Sequence, residues 1–283
     1  MKFGFIGLGN MGAPIARNIL RSGSELMVYS SRGDCVAAFT AAGASAAADS
    51  KDLASCDVLC TCLPLPQHVT GLVLGEDGLY ASMKPGSIHV EFSTIDPATA
   101  GSMVKAAAER GIRYVQATVG KTPQMAEKAE EPLFIGGDRE AVAMLMPLFE
   151  RIGKPRDVGT VDASCAVKLL SNLVGMANLA VLAEGMHIGA LAGMDPNLLI
   201  ELLQDTGARS FQMDVRGPWI AAEDWKARFG VDLAAKDLRL GCAMSRAWGY
   251  DPSMISRALA YYEEAGREGF GAADCCAVAK VTK

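Results

Sequence analysis

A glycine-rich segment near the start of the chain has the spacing that brings a phosphate group close to the peptide backbone. It follows a strand-like run and opens a helical one. In such a turn the first glycine permits a tight change of direction, the second lets a pyrophosphate approach, and the third allows the helix to pack closely on the strand. The free N–H groups and the positive end of the helix dipole then attract the phosphate. The predicted dinucleotide-binding residues are Gly7, Leu8, Gly9, Asn10, Met11 and Gly12.

The residues after the second predicted strand favour NADP over NAD. An acidic side chain at this position accepts a hydrogen bond from a ribose 2′-hydroxyl, whereas a 2′-phosphate needs donors and positive charge. Here the segment contains Ser30, Ser31 and Arg32, and the first acidic residue comes only at Asp34. We therefore expect these three residues to contact the cofactor. The alternative is that Arg32 is an ordinary solvated charge that stacks on the adenine of either cofactor.

A lysine and an asparagine, Lys168 and Asn172, are spaced so that one helix face could carry both. Residues four apart on a helix are neighbours and can point into the same cleft. Lys168 also interrupts an apolar run from Cys165 to Leu170, where a buried ammonium is costly unless it has a role. The alternative is a surface lysine next to an unrelated asparagine.

The first 160 residues must position the glycine-rich turn, and they alternate short β-rich runs with helical patterns. This alternation is typical of βαβ units in a doubly wound parallel sheet of the α/β class. The predicted strands cover residues 3–7, 25–30, 58–63, 88–91, 113–116 and 132–135. The predicted helices cover residues 11–22, 34–42, 98–110 and 139–151. We expect residues 1–160 to form an NAD(P)-binding domain.

From residue 161 to residue 283 we expect an all-α domain. Almost no β-branched alternation occurs there, and long segments rich in Ala, Leu and Met are separated by Gly, Pro and Asp. A helix over residues 162–191 would be roughly 45 Å long at ~1.5 Å per residue, which is enough for a spine shared by both halves. Helices that are apolar on several faces need a partner, so this half is predicted to pack against another subunit.

Composition excludes several other functions. The chain has 283 residues, 50% of them hydrophobic, which is enough to bury a sizeable core. Its net charge of -5, from 27 basic and 32 acidic residues without a basic stripe, argues against a nucleic-acid partner. The longest uncharged helical stretch, residues 169–183, is too short and too polar for a membrane segment. The absence of a leader sequence before the first strand predicts a cytoplasmic protein.

Cysteine and histidine positions predict no metal site. The eight cysteines show no second pair at zinc-ligand spacing, and His68, His89 and His187 are far apart in the sequence. A chain of this size does not need disulfides as staples. We expect buried free thiols.

With the segment GLGNMGAPIARNIL at residues 7–20, the chain resembles the β-hydroxyacid dehydrogenase family, which includes 3-hydroxyisobutyrate dehydrogenase and, more distantly, 6-phosphogluconate dehydrogenase. The resemblance continues through Leu63-Pro64, through EFSTIDP at residues 91–97 and through FIGGD at residues 134–138. It covers essentially the whole chain. Members have a Rossmann domain, a long interdomain helix and an all-α C-terminal domain, and a homodimer or homotetramer is expected by resemblance.

The resemblance also implies roles for individual residues. The catalytic lysine and asparagine of the family lie four residues apart on the interdomain helix, and here these are Lys168 and Asn172. Ser93 and Thr94 would help to place the nicotinamide ring, Ser93 on the side of the substrate. Lys236 would reach the nicotinamide end of the cleft, although Lys236-Asp237 taken alone is a routine solvated helix pair. Further cofactor contacts are implied for Leu63 and Pro64.

The predicted substrate loop departs from the family pattern. Where Asp-Ala-Pro-Val-Ser-Gly-Gly is common, this chain has QATVGKT at residues 116–122. The substrate-binding residues Gly120, Lys121 and Thr122 therefore offer a cation and a hydroxyl to an anionic group. The loop is similar to that of the sulfolactaldehyde reductase branch, which has Gly-Arg-Thr. A lysine is a point charge and an arginine a planar fork, so the resemblance does not decide between a carboxylate and a sulfonate.

Together these features predict an NADP-preferring oxidoreductase that interconverts a short anionic 3-hydroxy acid, or a sulfonate, and its semialdehyde. Lys168 would act as the general acid and base. One alternative is an enzyme like the imine reductases, in which Asp or Tyr is common at the position of Lys168. Another is a non-catalytic NADP-binding sensor, since a fold alone does not establish activity.

Overall fold

The computed structural model describes residues 1–282, apart from the side chain at position 34, and the chain divides into two compact units. Unit 1 is Met1–Lys168, and unit 2 begins at Leu169. The division falls inside one long helix, residues Val161–Leu191. The domain boundary predicted at residues 160 and 161 coincides with the start of that helix and stays a prediction.

Unit 1 contains an eight-stranded sheet with the strand order β3-β2-β1-β4-β5-β6-β7-β8. The strands are β1 (Lys2–Ile6), β2 (Glu25–Tyr29), β3 (Ser45–Ala46), β4 (Val58–Thr61), β5 (Ile88–Glu91), β6 (Arg113–Val119), β7 (Pro132–Gly137) and β8 (Lys154–Gly159). All neighbouring strands pair in parallel except β6 and β7. The central strands β4 and β5 are buried along their whole length, because helices cover both faces of the sheet.

Seven helices of unit 1 connect the strands. They are α1 (Gly12–Arg21), α2 (Gly33–Ala41), α3 (Pro66–Val73), α4 (Leu79–Ser82), α5 (Pro97–Glu109), α6 (Pro123–Glu127) and α7 (Arg139–Ile152). One apolar cluster packs α1 and α7 on the sheet through Ile15, Ile19 and Phe149. The cluster on the other face packs α3 and α5 through Val69 and Met103. The predicted α/β class with a doubly wound, mostly parallel sheet is confirmed.

Three details of the sheet differ from the predicted strands. The antiparallel pairing of β6 with β7 was not predicted, and the connecting residues 120–131 contain only the five-residue α6 in place of a full crossover helix. Strand β6 extends to Val119 instead of ending at residue 116. Strands β3 and β8 were missed, because β3 has two residues and β8 is a polar edge strand with the sequence KPRDVG.

Unit 2 is helical, as predicted. Its helices are the remainder of α8 (Val161–Leu191), then α9 (Pro196–Gln204), α10 (Phe211–Ala221), α11 (Val231–Ala247) and α12 (Ser253–Ala265), followed by short helical turns at Gly266–Phe270 and Cys275–Lys280. Their core surrounds the fully buried Tyr262, whose hydroxyl donates to the carbonyl oxygen of Met176 at 3.1 Å. A buried ion pair between Arg216 and Asp274, at 3.0 Å, ties α10 to the C-terminal turn.

Helix α8 extends beyond the uncharged stretch of residues 169–183 at both ends. In the described part of the chain it is the one helix long and apolar enough to cross a bilayer by length and composition. A core helix of a soluble protein meets the same criteria, and 44% of its most apolar window is buried inside the protein. The length of α8 is therefore a weak indication of a membrane segment.

Candidate active site

Glycine occurs at three positions of the turn after β1 for three different structural reasons. Gly7 has a φ of +101°, which L side chains rarely adopt, and a Cβ there would lie 2.2 Å from the carbonyl oxygen of Cys62. A Cβ at Gly12 would lie 2.0 Å from the carbonyl oxygen of Gly7, so a glycine is needed for α1 to pack against the turn. At Gly9 a Cβ would meet nothing within 4 Å. A ligand can therefore approach the backbone at Gly9 closely, as a pyrophosphate requires.

The first turn of α1 completes this arrangement. Its N-cap residue, Met11, makes no side-chain cap, and no acidic residue lies in the first turn. The amide groups and the positive end of the helix dipole are thus suited to an anion. The glycine turn and α1 together fit the diphosphate of a dinucleotide.

At the end of β2 the predicted cofactor-selecting residues lie at the surface. Ser31 and Arg32 are exposed, and the hydroxyl of Ser30 accepts a hydrogen bond from the amide of Arg32 at 3.2 Å. The Arg32 guanidinium approaches the carbonyl oxygen of Leu8 at 3.5 Å. This contact brings a positive charge next to the glycine turn.

The loops after β4 and β5 are joined to each other. The hydroxyl of Ser93 accepts a hydrogen bond from the amide of Leu63 at 2.7 Å, and Ser93 is only 3% exposed. Its neighbour Thr94 is half-buried. The Ser93 hydroxyl was expected to help place the ring beside the substrate, and it also has a structural role that the sequence did not reveal.

A buried carboxyl group lies at the end of β5. Glu91 accepts hydrogen bonds from the amide of Ser93 and the hydroxyl of Thr61, each at 2.6 Å. Burial raises the pKa of Glu91 to about 7, and the two hydrogen bonds partly oppose this rise. Burial also lowers the pKa of His89 to about 3, so its imidazole is neutral at physiological pH. His89 lies 2.7 Å from the Thr61 hydroxyl through its Nε2 atom.

The substrate loop predicted at residues 120–122 has an unusual backbone. Lys121 has a φ of +60°, a left-handed conformation that costs a non-glycine residue roughly 1–2 kcal/mol. This explains why glycine is common there in the family pattern. The side chain of Lys121 is exposed. The amide of Gly120 donates to the carbonyl oxygen of Pro132 at 2.9 Å, so the amide is used within the sheet and Lys121 and Thr122 are left as the donors.

Helix α6, which follows the substrate loop, is fastened to the helix that begins at the glycine turn. The buried side-chain amide of Asn18 donates to the carbonyl oxygen of Ala126 at 2.7 Å. Arg17 forms a bidentate pair with Glu127, and Arg21 adds a contact of 3.2 Å. The hydrogen bond from Arg17 holds the pKa of Glu127 below its usual value. These contacts fix the substrate loop relative to α1.

Lys168 belongs to unit 1, and the first turn of α8 is anchored to the sheet one turn before it. The hydroxyl of Ser164 donates to the carbonyl oxygen of Phe134 in β7 at 2.6 Å. The hydroxyl of Thr118, two residues before Gly120, donates to the carbonyl oxygen of Ser164 at 3.0 Å. Lys168 itself is half-buried. The lysine is therefore held relative to the strand that leads into the substrate loop.

Within unit 2, Asn172 and Lys236 both contact one carboxylate. The side-chain amide of Asn172 donates to Oδ2 of Asp237 at 2.5 Å, and the Nζ atom of Lys236 lies 2.7 Å from Oδ1. The side chains of Lys236 and Asp237 are 12% and 3% exposed. The burial of both side chains contradicts the alternative of a routine solvated helix pair, and the cofactor role of Lys236 stays a prediction. The helical period of α11 turns residues 234, 235, 237 and 238 inward, so Asp237 falls on the buried face.

Four residues that support the candidate site were not predicted from the sequence: Thr61, Glu91, Thr118 and Asp237. Glu91 and Thr61 carried a signal, because each is a polar residue at the carboxyl end of a short central strand. No group of three or more His, Cys, Asp or Glu side chains that could hold a metal ion occurs in the described part of the chain.

Comparison with known families assigns both units. Residues 2–168 match the NAD-binding domain of 6-phosphogluconate dehydrogenase, and residues 163–282 match the NAD-binding domain of NADP-dependent 3-hydroxyisobutyrate dehydrogenase. The first match alone spans more than half of the chain.

Individual relatives agree with this assignment. The chain is 34% identical to an NAD-dependent L-serine dehydrogenase of Pseudomonas aeruginosa, with 99% of this chain and 97% of the relative covered. It is 32% identical to a 2-(hydroxymethyl)glutarate dehydrogenase of Eubacterium barkeri, with coverage of 99% and 94%. The crystal structure of 3-hydroxyisobutyrate dehydrogenase from Salmonella typhimurium superimposes with a TM-score of 0.91 at 26% identity, with 99% of both chains covered. The chain is therefore an NAD(P)-dependent oxidoreductase and belongs to the β-hydroxyacid dehydrogenase family.

Proposed function

We propose that the protein is an NADP-preferring oxidoreductase that interconverts a short anionic 3-hydroxy acid, or its sulfonate counterpart, and the corresponding semialdehyde. The two relatives act, by their names, on L-serine and 2-(hydroxymethyl)glutarate. Both compounds carry a hydroxyl on the carbon next to the α carbon of a carboxylate. The same class of substrate suits the charge of Lys121.

The observation that supports this proposal most strongly is that α8 is hydrogen-bonded to β6 at Thr118, directly before the substrate loop. The hydrogen bond from Thr118 to Ser164 ties the first turn of α8 to the strand that ends at Val119. Lys168 follows Ser164 by four residues, which is about one helical turn. A proton donor and an anion-binding loop thus share one rigid support.

A bound nicotinamide cofactor would supply or accept the hydride. The glycine turn and the first turn of α1 would hold its diphosphate. Leu63, Pro64 and Thr94 would line the ring, and the hydrogen bond between Ser93 and Leu63 would fix their two loops. Ser93 would complete the wall on the side of the substrate.

Lys168 would move the proton. In reduction its ammonium donates a proton to the carbonyl oxygen as the carbonyl carbon receives a hydride, which leaves an alcohol and a neutral lysine. In oxidation the neutral amine takes the hydroxyl proton as the hydride departs from the C–H bond. Asn172, one turn further along α8, would hold the oxygen in position. Asp237 would orient Asn172 through their hydrogen bond of 2.5 Å.

Lys121 and Thr122 would bind the anionic group. Lys121 is exposed and stands in a left-handed conformation, which fixes the direction in which its side chain leaves the loop. The Thr122 hydroxyl caps no amide of α6. Both groups can therefore donate to a carboxylate or a sulfonate oxygen.

NADP preference rests on Arg32. The segment 30–33 contains no carboxylate, and the Arg32 guanidinium lies beside the glycine turn, 3.5 Å from the carbonyl oxygen of Leu8. A 2′-phosphate would gain a charge-assisted hydrogen bond there. We therefore expect Arg32→Gln to weaken NADPH binding more than NADH binding. Equal losses for the two cofactors would favour the adenine-stacking role instead.

A homodimer or homotetramer is part of the same proposal. Four large apolar side chains of α8, Leu170, Val174, Val181 and Ile188, are about half or more exposed in the single chain. Their spacing places them along one side of the helix. Sedimentation analysis should show a dimer or larger species, and a monomer at micromolar concentration would contradict this part.

The test of the proposed function is oxidation of NADPH and NADH in the presence of short aldehydes. Tartronate semialdehyde, succinic semialdehyde and sulfolactaldehyde carry an anionic group, and methylglyoxal is the neutral control. We expect turnover with the anionic aldehydes only, faster with NADPH, and its loss in Lys121→Met. Turnover that is indifferent to substrate charge would contradict the assigned substrate class. No turnover with any of them would favour the imine reductase or sensor alternatives.

A further inference from the structure

We propose that Glu91 is a positioning residue whose negative charge holds the two cofactor loops, which contain Leu63 and Ser93, in their binding arrangement. The inference rests on the proposed function, because it takes the loops at Leu63 and Ser93 to be cofactor loops. It adds a role for a side chain that would not itself touch substrate or cofactor.

Glu91 is the centre of a network that reaches both cofactor loops through its side chain and strand β6 through its backbone. Its Oε1 atom accepts from the amide of Ser93 at 2.6 Å, and the hydroxyl of Ser93 accepts from the amide of Leu63 at 2.7 Å. The backbone carbonyl oxygen of Glu91 accepts from the side-chain amide of Gln116 at 3.1 Å, and the same amide donates to the backbone carbonyl oxygen of Ser93 at 3.2 Å. These two bonds do not depend on the charge of Glu91. Gln116 lies on β6, which leads to the substrate loop. The network thus joins the ends of β4 and β5 to the middle of β6.

A chain of hydrogen bonds approaches the other oxygen of Glu91 from within the protein. The Tyr80 hydroxyl lies 2.6 Å from Nδ1 of His89, and Nε2 of His89 lies 2.7 Å from the Thr61 hydroxyl. The Thr61 hydroxyl lies 2.6 Å from Oε2 of Glu91. Glu91, His89 and Thr61 are fully buried, so each of their protons must be used within the network.

The protons of this chain can be arranged consistently in only two ways. When Glu91 is ionised, Thr61 donates to Glu91, His89 donates to Thr61 through Nε2, and Tyr80 donates to Nδ1 of His89. When Glu91 is protonated, it donates to Thr61, Thr61 donates to Nε2 of His89, and Nδ1 of His89 donates to Tyr80. Every bond reverses, and Tyr80 then needs a different acceptor for its own proton. The ionised state is the one in which all four groups are satisfied.

The charge of Glu91 also affects the bond to the cofactor loop. An ionised carboxylate accepts the Ser93 amide in a charge-assisted hydrogen bond, which is roughly twice as strong as a neutral one. Protonation therefore weakens the bond that holds the Ser93 loop, and Ser93 holds Leu63. Cofactor affinity should decrease when Glu91 takes up its proton.

Among the titratable groups that face one another around Glu91, Glu91 itself is the one that titrates near neutral pH. The other groups are Cys60 from β4, His89 from its own strand, Tyr80 from α4, Tyr114 from β6 and Cys165 from α8. Burial raises the pKa of both thiols and both phenols and lowers the pKa of His89 to about 3, so all five are neutral at pH 7. Burial raises the pKa of Glu91 itself to about 7.

The experiment measures the dissociation constants of NADPH and NADH by fluorescence from pH 5.5 to 8.5, without substrate. Wild type should bind more weakly as pH falls through about 7, by a factor of at least about ten, since a hydrogen bond to a charged group is lost. The Glu91→Gln variant should bind both cofactors weakly at all pH values. The reason is that the Gln amide donates to Thr61 and so keeps the chain of hydrogen bonds in its reversed direction. The 2′-phosphate of NADPH titrates in the same range, so the difference between wild type and variant is the quantity compared.

A second variant tests the chain without removing the charge. Thr61→Val deletes the hydroxyl whose hydrogen bond lowers the pKa of Glu91, so the midpoint of the affinity profile should move to higher pH. This variant decides the question if Glu91→Gln does not fold. The matched control is Glu131→Gln, which removes another fully buried carboxyl of unit 1, and its profile should equal that of wild type.

The outcomes separate this inference from the proposed function. If Glu91→Gln and Thr61→Val bind the cofactors as tightly as wild type does, with an unchanged pH profile, the role of Glu91 is overturned and the oxidoreductase proposal stays intact. An equal loss of affinity in Glu131→Gln would overturn it as well, since the effect would then be a general consequence of changing a buried carboxyl. Wild type that binds neither cofactor would contradict the proposed function, and the inference would fall with it.

Discussion

Asp237 accepts a hydrogen bond from the side-chain amide of Asn172 at 2.5 Å, across 65 positions of sequence. The same carboxylate lies 2.7 Å from the ammonium of Lys236. Two residues that the family resemblance assigns to the reacting end of the site are therefore oriented by a third that it did not assign. Asp237, the neighbour of Lys236 on α11, is therefore a candidate positioning residue.

Replacing Asp237 by Asn should reduce turnover with little change in cofactor binding. Asn keeps the shape of the side chain but cannot accept from Asn172 and neutralise Lys236 together, so Asn172 loses its orientation. We expect kcat to fall by about 10- to 100-fold, as for small misplacements of reacting groups. Stability should fall by up to about 3 kcal/mol, because the mostly buried ammonium of Lys236 loses its ion pair with Asp237.

Two further variants show whether turnover or stability is the primary effect. Lys236→Met combined with Asp237→Asn removes both charges, so stability should recover while kcat stays low. Arg239→Gln, on the same helix as Asp237, breaks an exposed ion pair with Glu263 of α12 and should leave kcat and stability nearly unchanged. If Asp237→Asn had wild-type kcat, the orienting role would be ruled out.

Lys121 allows charge and backbone strain to be separated. Lys121→Met removes the charge and keeps the left-handed conformation, so KM for an anionic aldehyde should rise by about 10- to 100-fold without a change in stability. Lys121→Gly should raise KM equally and increase the free energy of unfolding by about 0.5–1 kcal/mol, because glycine relaxes the strain at φ +60°. Equal KM values for wild type and Lys121→Met would show that the loop only shapes the pocket.

The glycines of the turn after β1 should respond differently to alanine. Nothing lies within 4 Å of a Cβ at Gly9, so Gly9→Ala should fold normally but bind NADPH at least about tenfold more weakly, since the methyl group obstructs the pyrophosphate. A Cβ at Gly12 would lie 2.0 Å from the carbonyl oxygen of Gly7, so Gly12→Ala should lose about 1–3 kcal/mol of stability. Calorimetry and cofactor titration on both variants check this, and wild-type affinity in Gly9→Ala would contradict the assigned cradle.

Glu131 should make the stability of the protein depend on pH. Its side chain is fully buried and has no hydrogen-bond partner among the described residues, and burial raises its pKa to about 7 from 4.5. The native state therefore keeps a proton that the unfolded state releases, and stability falls as pH rises from about 4.5 to about 7. Glu131→Gln lacks this effect and should gain roughly 2 kcal/mol over wild type between pH 5 and pH 8.

Urea denaturation at the two pH values measures this difference. Glu130→Gln, at the exposed neighbouring position, is the control and should follow wild type at both. A constant difference between wild type and Glu131→Gln would show that the buried carboxyl does not titrate in this range.

Sequence patterns predicted the parts of the protein that have a strict local period or fixed glycine positions. The glycine turn, the alternating strands and helices, and the long α8 helix all belong to this class, because their conformation follows from nearby residues. The antiparallel β7 and the edge strand β8 depend on connection length and pairing partners, which short patterns do not show.

The candidate site divides in the same way. Lys168, Asn172 and the loop at residues 120–122 could be predicted because they lie in recognisable segments, and their roles stay predictions. Glu91 and Asp237 act through contacts with Thr61, Ser93 and Asn172, the last of them 65 positions from its partner. The exposed, left-handed conformation of Lys121 is likewise a property of the folded loop, because its sequence neighbours do not require it.

The proposed mechanism depends on proton transfer by Lys168, and the Lys168→Ala variant tests this role directly. We predict that turnover of NADPH with an anionic semialdehyde falls by roughly 10²- to 10⁴-fold while the dissociation constant of NADPH is unchanged. Added methylammonium should restore part of the turnover, since it can supply the missing ammonium group. Full turnover in Lys168→Ala would contradict proton transfer by Lys168.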